Sequence, residues 1–76
     1  MKTIDSYEYT SKIYKTNYVI EISDRRDGSF LAVPVLNGKR ADHNNCRMSS
    51  AKRTAIDSVI NEVLEKMPPP QVFGEA

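Results

Sequence analysis

The two side chains with the most reactive chemistry in this sequence are His43 and Cys46, which stand three positions apart. A thiol beside an imidazole can act as a nucleophile with its general base. Here both residues lie in a polar segment, and no third group is placed to orient the imidazole. The sequence therefore predicts no enzymatic activity and no catalytic residue.

Metal and cofactor chemistry has equally little support. His43, Cys46 and Asp42 lack the fourth-ligand spacing of a structural zinc site. The chain has one cysteine, which excludes an internal disulfide and a zinc site built from several cysteines. Its three glycines stand apart at positions 28, 38 and 74, so no glycine-rich loop can cradle a phosphate. We expect no metal and no cofactor.

Positive charge is concentrated in the middle of the chain, although the net charge is only +1. Residues 25–53 carry seven Lys and Arg against two Asp, whereas residues 54–76 carry one Lys against four Asp and Glu. Such clustering indicates a surface that meets an anionic partner. Five cations are the expected nucleic-acid contacts: Arg25, Arg26, Arg47, Lys52 and Arg53.

One helix is the most clearly patterned element that could position these cations. Apolar residues recur at the helical period through positions 55, 56, 59, 60, 63, 64 and 67. Ser49 or Ser50 is expected to cap its N-terminus. The prolines at 68–70 are expected to end it, because proline lacks the N–H that continuation needs.

Strand patterns precede the helix. Residues 18–22 alternate and are rich in β-branched side chains, and residues 30–36 form a second strand that Asn37-Gly38 ends with a tight turn. The polar segment 39–46 is a third strand or a loop. Residues 4–16 fit a strand and a turn better than a short helix, and we expect them to form a hairpin with residues 18–23.

The strand at 30–36 is apolar on both faces, and only one helix is available to cover them. The uncovered face is a candidate binding surface. Pro34 cannot donate to a sheet ladder, which favours a bulge or an edge position for this strand.

Together these elements predict an α+β fold: a three- or four-stranded antiparallel β meander followed by one long C-terminal amphipathic helix. Residues 1–67 are expected to form one small domain. Residues 68–76 are expected to be a Pro-rich extended tail, from which Val72 and Phe73 could dock on the domain or on a partner. No stretch approaches the roughly 20 apolar residues of a membrane span, and the N-terminus has no signal-peptide pattern, so we expect a cytoplasmic protein without membrane contact.

This strand order brings the cations together. The turn at 24–28 and the start of the helix are expected at the same end of the sheet, so that all five predicted cations surround a helix N-terminus. Free N–H groups there also favour anions. The phosphate backbone of a nucleic acid is the expected ligand.

Residues 18–67 resemble the double-stranded-RNA-binding domain in their order of three strands and a helix. Residues 30–39 are similar to that family's second strand and turn, and Lys52-Arg53-Thr54-Ala55 is similar to its basic helix start. The resemblance implies that Lys52 and Arg53 contact phosphates across the major groove. The family's first helix would have to come from residues 4–16.

A second resemblance is to the three-stranded arm domains of phage integrases. Residues 26–30, Arg-Asp-Gly-Ser-Phe, and residues 37–40, Asn-Gly-Lys-Arg, carry it.

Two binding functions follow. The first is a small non-enzymatic nucleic-acid-binding module, with RNA or DNA as partner. The alternative is a small protein-binding regulator or inhibitor of the phage and mobile-element type, such as an anti-CRISPR or other anti-defence protein. It would bind a protein complex through the open sheet face, the edge near Pro34 or the acidic helix surface. A homodimer formed by edge pairing of residues 30–36 is the third expectation.

Overall fold

The computed structural model describes residues 2–74 as an antiparallel sheet with helical segments after it in the chain. The strands are β1 (Lys2–Thr10), β2 (Asn17–Asp24), β3 (Phe30–Leu36), β4 (Lys39–Arg40) and β5 (Arg47–Ser49). Helix α1 (Lys52–Val59) continues as a π-helical turn over Ile60–Leu64, and a short helix α2 spans Pro69–Val72. The α+β prediction is confirmed, with a fifth strand in addition. The expected long helix is only 13 residues and ends at Leu64, before the predicted Met67.

Local pattern explains the outer hairpin. The predicted strand and turn at residues 4–16 are present as most of β1 and the turn after it. Strand β1 pairs with β2 from Thr10 opposite Asn17 to Lys2 opposite Asp24. The polar segment 39–46 contains only the two-residue β4 and a single 3₁₀ turn at His43–Asn45.

Strand β3 lies inside the sheet. The strand order is β1-β2-β3-β4, and β5 also pairs with β3 on the side of β4. The expectation that residues 30–36 form an edge strand is therefore wrong, and a homodimer cannot form by pairing of that edge. The edges of the described sheet are β1 on one side and the short strands β4 and β5 on the other.

Pro34 fits this inner strand because its neighbour on one side is interrupted. Pro34 lies opposite Ile20 of β2, and its carbonyl accepts a 2.9 Å hydrogen bond from the Ala41 N–H just after β4. A strand residue directs its N and C=O to the same neighbour. The missing N–H of Pro34 therefore faces the break between β4 and β5, where no ladder bond is lost.

The core lies between one face of β2 and β3 and the helix. Its buried apolar residues from these elements are Tyr18, Ile20, Ile22, Ala32, Ala55, Val59, Val63 and Leu64. The predicted helical stripe is thus confirmed at its inner positions. Ile56, Ile60 and Met67 are only partly buried and lie at the rim of the core.

The segment after the helix also belongs to the core. Val72 is fully buried, and the Phe73 ring stacks on Tyr18 with the ring centroids 6.2 Å apart. Residues 68–74 are therefore not the extended tail expected from the prolines, because burial of these two side chains holds them on the domain. Residues 75–76 lie outside the described part of the chain.

A side-chain amide fastens this segment to the 3₁₀ turn. Asn45 Nδ2 donates to the carbonyl oxygens of Val72, at 2.8 Å, and of Gln71, at 3.3 Å. The polar segment before β5 thus has a structural role that its composition did not indicate.

Tyr18→Phe is expected to raise the free energy of unfolding by about 1 kcal/mol. The Tyr18 hydroxyl is buried and has no hydrogen-bond partner within residues 2–74, so removing it removes a desolvation cost. Tyr9→Phe is the matched control and should have the opposite sign, because the Tyr9 hydroxyl donates to Glu65. Urea denaturation of both variants checks this, and a destabilised Tyr18→Phe protein would contradict it.

Candidate nucleic-acid interface

Two loop segments meet at one end of the sheet. Asp24 at the end of β2 and Ser49 at the end of β5 both lie opposite Phe30, from the two sides of β3. The β2–β3 turn and the start of α1 follow directly from these two residues. We call this region the basic end and define it by four of the five predicted cations: Arg25, Arg26, Lys52 and Arg53.

The turn that carries Arg25 and Arg26 is well ordered by hydrogen bonds. The Arg25 N–H donates to the Ser29 carbonyl at 3.0 Å, and the Gly28 N–H donates to the Arg25 carbonyl at 3.2 Å. Gly28 has φ of +87°, a conformation that glycine adopts without strain. The Ser29 hydroxyl and N–H both donate to the Asp27 carboxylate and hold the pKa of Asp27 below its ordinary value.

The N-terminus of α1 is open to a ligand. Its N-cap residue is Ala51, no side chain caps the helix, and the first turn contains no acidic residue. The cap expected from Ser49 or Ser50 is not formed, because the Ser49 hydroxyl accepts a hydrogen bond from the Ala51 N–H instead. The first-turn N–H groups can therefore bind an anion.

Three of the four cations have an acidic neighbour. Arg25 lies 3.8 Å from Asp27, Lys52 lies 3.8 Å from Asp5, and Arg53 lies 3.5 Å from Asp57. Each distance joins a side-chain nitrogen of the cation to a carboxylate oxygen of its neighbour.

Such pairs are easily exchanged. Ion pairs at the surface contribute only about 0–1 kcal/mol each, so a phosphate can replace the carboxylate at little cost. Arg26 is exposed and has no ion pair within the described chain. The basic end thus offers one unpaired cation and three that can exchange partners.

Arg47, the fifth predicted cation, is used in hydrogen bonds within the fold. Its Nε donates to Glu62 at 2.7 Å, and its guanidinium also donates to the carbonyl oxygens of Asn44 and Cys46, each at 2.8 Å. These contacts fasten β5 to the π-helical turn and to the 3₁₀ turn. A phosphate contact by Arg47 would compete with them, so the candidate interface is built from the other four cations.

Comparison with known proteins gives no further guide. No protein-family model, no curated protein and no solved structure matches this chain. Its function must be inferred from its residues and their geometry.

His43 and Cys46 contact each other through the backbone, where the Cys46 N–H donates to the His43 carbonyl at 3.2 Å. The Cys46 thiol donates to the Asp42 carbonyl at 3.4 Å, and burial raises the pKa of this thiol. A raised pKa leaves less of the nucleophilic thiolate at neutral pH. Residues 2–74 contain no group of three or more side chains that could hold a metal ion. In the same range, no helix is long and apolar enough to cross a membrane.

An ion pair covers part of the sheet face that lies opposite the helix, which we call the open face. Arg40 of β4 contacts Glu21 of β2, so the pair spans β3, and Val33 of β3 is only 3 % exposed. Val19 and Met48 remain exposed on this face. The apolar area expected there is therefore smaller than the sequence of β3 indicates.

A carboxylate cluster, which sequence reasoning missed, joins the β1–β2 turn to the end of the helix. The Glu65 carboxylate accepts hydrogen bonds from the Tyr9 hydroxyl, the Ser11 hydroxyl and the N–H groups of Lys12 and Ile13. These donors stand more than fifty positions away in the sequence, so no local pattern could reveal them.

The cluster shifts both of its titratable groups. Burial alone raises the pKa of Glu65, but the four hydrogen bonds outweigh it and lower the pKa to about 2. Burial and the nearby Glu65 carboxylate raise the pKa of Tyr9 to about 12. The Glu65 N–H donates a 3.0 Å π-helical hydrogen bond to the Ile60 carbonyl, and this bond positions the carboxylate. The charged form of Glu65 is thus the one that the fold stabilises.

Proposed function

We propose that this chain is a small binding module that contacts the phosphate backbone of a nucleic acid through the basic end. The start of α1 carries the proposal. It has no side-chain cap and no acid in its first turn, and it presents Lys52 and Arg53 beside free N–H groups. Helix N-termini with this arrangement favour anions.

The β2–β3 turn adds a second element to the contact surface. Arg25 and Arg26 lie at the same end of the sheet as Lys52 and Arg53 but on a different loop, so one nucleic-acid backbone can contact both. Binding through these four cations releases counterions. Affinity should therefore fall by about 0.9 log units per phosphate for each tenfold rise in salt concentration.

The proposal rests on contacts to the phosphate backbone of the nucleic acid and not on contacts to its bases. Residues 4–16, from which the first helix of a double-stranded-RNA-binding domain would have to come, form most of β1 and a turn. We therefore propose phosphate recognition by the basic end, with RNA or DNA as the ligand.

Replacing Lys52 and Arg53 together with glutamate is expected to weaken nucleic-acid binding by about 30- to 100-fold at low salt, because two phosphate contacts become repulsive. The fold should survive, since acidic residues in the first turn of a helix are stabilising. Fluorescence anisotropy with duplex RNA, duplex DNA and single-stranded DNA at two salt concentrations measures the effect.

The matched control is Lys15→Glu with Lys66→Glu, which changes the net charge equally. Both lysines are exposed and lie near the opposite end of the sheet, in the β1–β2 turn and after the π-helical turn. This variant should keep its affinity within about threefold at moderate salt. An equal loss in both double variants would show that only total charge matters, and the basic end would not be the site.

A protein-binding regulator or inhibitor, of the kind represented by anti-CRISPR and other anti-defence proteins, is the second candidate. It is favoured by the exposed Val19 and Met48 on the open sheet face and by the near-neutral total charge. Failure of the wild-type chain to bind any of the three nucleic acids at low salt would contradict the first proposal and favour this one.

A further inference from the structure

The outer side of β1 is a free sheet edge. Strand β1 has nine residues, and all except the partly buried Tyr9 are exposed. Strand β2 pairs with its inner side only, and no other described strand pairs with β1. Unpaired edges of this length are templates for pairing with another strand.

The hydrogen bonds of the turn show which groups point outward. The Ser11 N–H donates to the Thr16 carbonyl at 2.8 Å, which makes these two residues a hydrogen-bonded pair at the end of the β1–β2 ladder. Hydrogen-bonded and non-hydrogen-bonded pairs alternate along an antiparallel ladder. Ser6, Glu8 and Thr10 therefore direct their N–H and C=O groups away from β2.

An independent contact agrees with this assignment. The Ser6 N–H donates to the Asp5 side chain at 2.8 Å rather than to the neighbouring strand. The backbone groups of this edge thus face solvent.

A bulge limits the part of the edge that can pair. The register between β1 and β2 shifts between Thr3 and Asp5, which leaves Ile4 as the extra residue. Bulges bend a strand and interrupt edge pairing. The regular free edge therefore runs from Ser6 to Thr10, and its central residue is Glu8.

We propose that two copies of this chain pair antiparallel through residues 6–10, about a two-fold axis at Glu8, and form one continuous sheet. Pairing centred on Glu8 uses every outward group of the segment. The backbone of Ser6 then forms hydrogen bonds with the backbone of Thr10 in the second copy, and the two Glu8 backbones form hydrogen bonds with each other. This interface is independent of the proposed nucleic-acid contact.

The side chains along the edge fit a second copy. Five large hydrophobic residues are exposed in the described chain, and three of them, Ile4, Tyr7 and Ile13, belong to β1 or to the turn after it. The centred register places Tyr7 opposite Tyr9 of the second copy and Ile4 beside the turn that contains Ile13. Aromatic cross-strand pairs of this kind stabilise antiparallel sheets.

Charge in this register gives one attractive contact and one repulsive contact. Asp5, which lies 3.8 Å from Lys52 of its own chain, falls beside the turn of the second copy, near Lys12. The two Glu8 side chains face each other on the open face of the sheet, with Ser6 and Thr10 as their neighbours on β1. Like charges directly opposite one another weaken a strand pair. The dimer should therefore be weak, with Glu8 setting its strength.

Sedimentation velocity of the full chain, without nucleic acid, from about 10 µM to about 1 mM tests the proposal in the range expected of a small interface. We expect concentration-dependent dimers. Glu8→Gln should dimerise about threefold to fivefold more tightly because it removes the repulsion at the axis. Wild-type and Glu8→Gln chains that both stay monomeric would overturn the proposal.

Glu8→Pro is the disrupting variant. It removes an outward N–H that β2 does not use, so the monomer should fold, as circular dichroism can verify, and the dimer should be lost. A folded Glu8→Pro chain that still dimerises would exclude this edge. If that variant does not fold, Ile13→Lys replaces it: the side chain is 64 % exposed in the turn, and unchanged dimerisation would again refute the interface.

Discussion

Phe73→Ala is expected to lower the free energy of unfolding by about 3–5 kcal/mol, the usual cost of removing a buried phenyl ring. Phe73 is only 6 % exposed, and its ring stacks on the fully buried Tyr18. Since small domains have only about 5–15 kcal/mol of stability in total, this one change should remove a large part of it. Guanidinium denaturation followed by circular dichroism measures the loss.

The matched control is Gln71→Ala, two positions earlier in the same helical turn. The Gln71 side chain is exposed, and only its backbone carbonyl is used by Asn45. Its effect should stay within about 0.5 kcal/mol. If Phe73→Ala cost as little as this control, the C-terminal segment would not be docked on the core in solution.

Acid is expected to destabilise the fold through Glu65. The pKa of Glu65 is about 2 in the folded chain against an ordinary value of 4.5, so its contribution is complete above pH 4.5. The contribution is lost as the pH falls from 4.5 to about 2, because the unfolded chain takes up the proton first. Glu65→Gln should remove this part of the pH dependence.

The size of the effect follows from the hydrogen bonds. Bonds to a charged group contribute about 1.5–3 kcal/mol when buried, but Glu65 is partly exposed, so we expect a loss of about 2 kcal/mol at pH 7 for Glu65→Gln. Urea midpoints of wild type and variant should converge as the pH falls towards 2.

Glu62→Gln is the matched control for the pH experiment. Glu62 belongs to the π-helical turn that Glu65 directly follows, and it has an exposed ion pair with Arg47. Its replacement should cost less than about 1 kcal/mol. A difference between wild type and Glu65→Gln that was the same at pH 7 and pH 2 would refute the role of the Glu65 charge.

Local pattern was sufficient for the main elements. Alternation at Tyr18, Ile20 and Ile22 predicted β2, and the helical period through Val59 and Val63 predicted the helix and its buried side. The order of these elements also places the turn at 24–28 and the helix start at one end of the sheet, as the structure does for Arg25, Arg26, Lys52 and Arg53.

Long-range contacts account for what the sequence could not reveal. Strand β5 has three residues and no strand-like pattern, and it exists because residues 30–32 of β3 provide a partner. Pro34 predicts an edge strand because the sequence does not show where β4 ends. In the structure, the break after β4 lies opposite the missing N–H of Pro34. The sequence places Phe73 in an extended tail, because its partner, Tyr18, stands far away along the chain. The open helix start depends on the hydroxyl of Ser49, which bonds Ala51 rather than the helix.

The π-helical turn at Ile60–Leu64 holds one residue more than an α-helical turn, because its hydrogen bond spans five positions, from Ile60 to Glu65. Deleting one residue in this turn, such as the exposed Asn61, would convert it to an α-helical turn and leave Glu65 close to the β1–β2 turn. Deleting one residue within α1 would instead rotate all that follows by about 100° and remove Glu65 from that turn. Single-residue deletions should therefore be tolerated better at Ile60–Leu64 than within α1 during evolution.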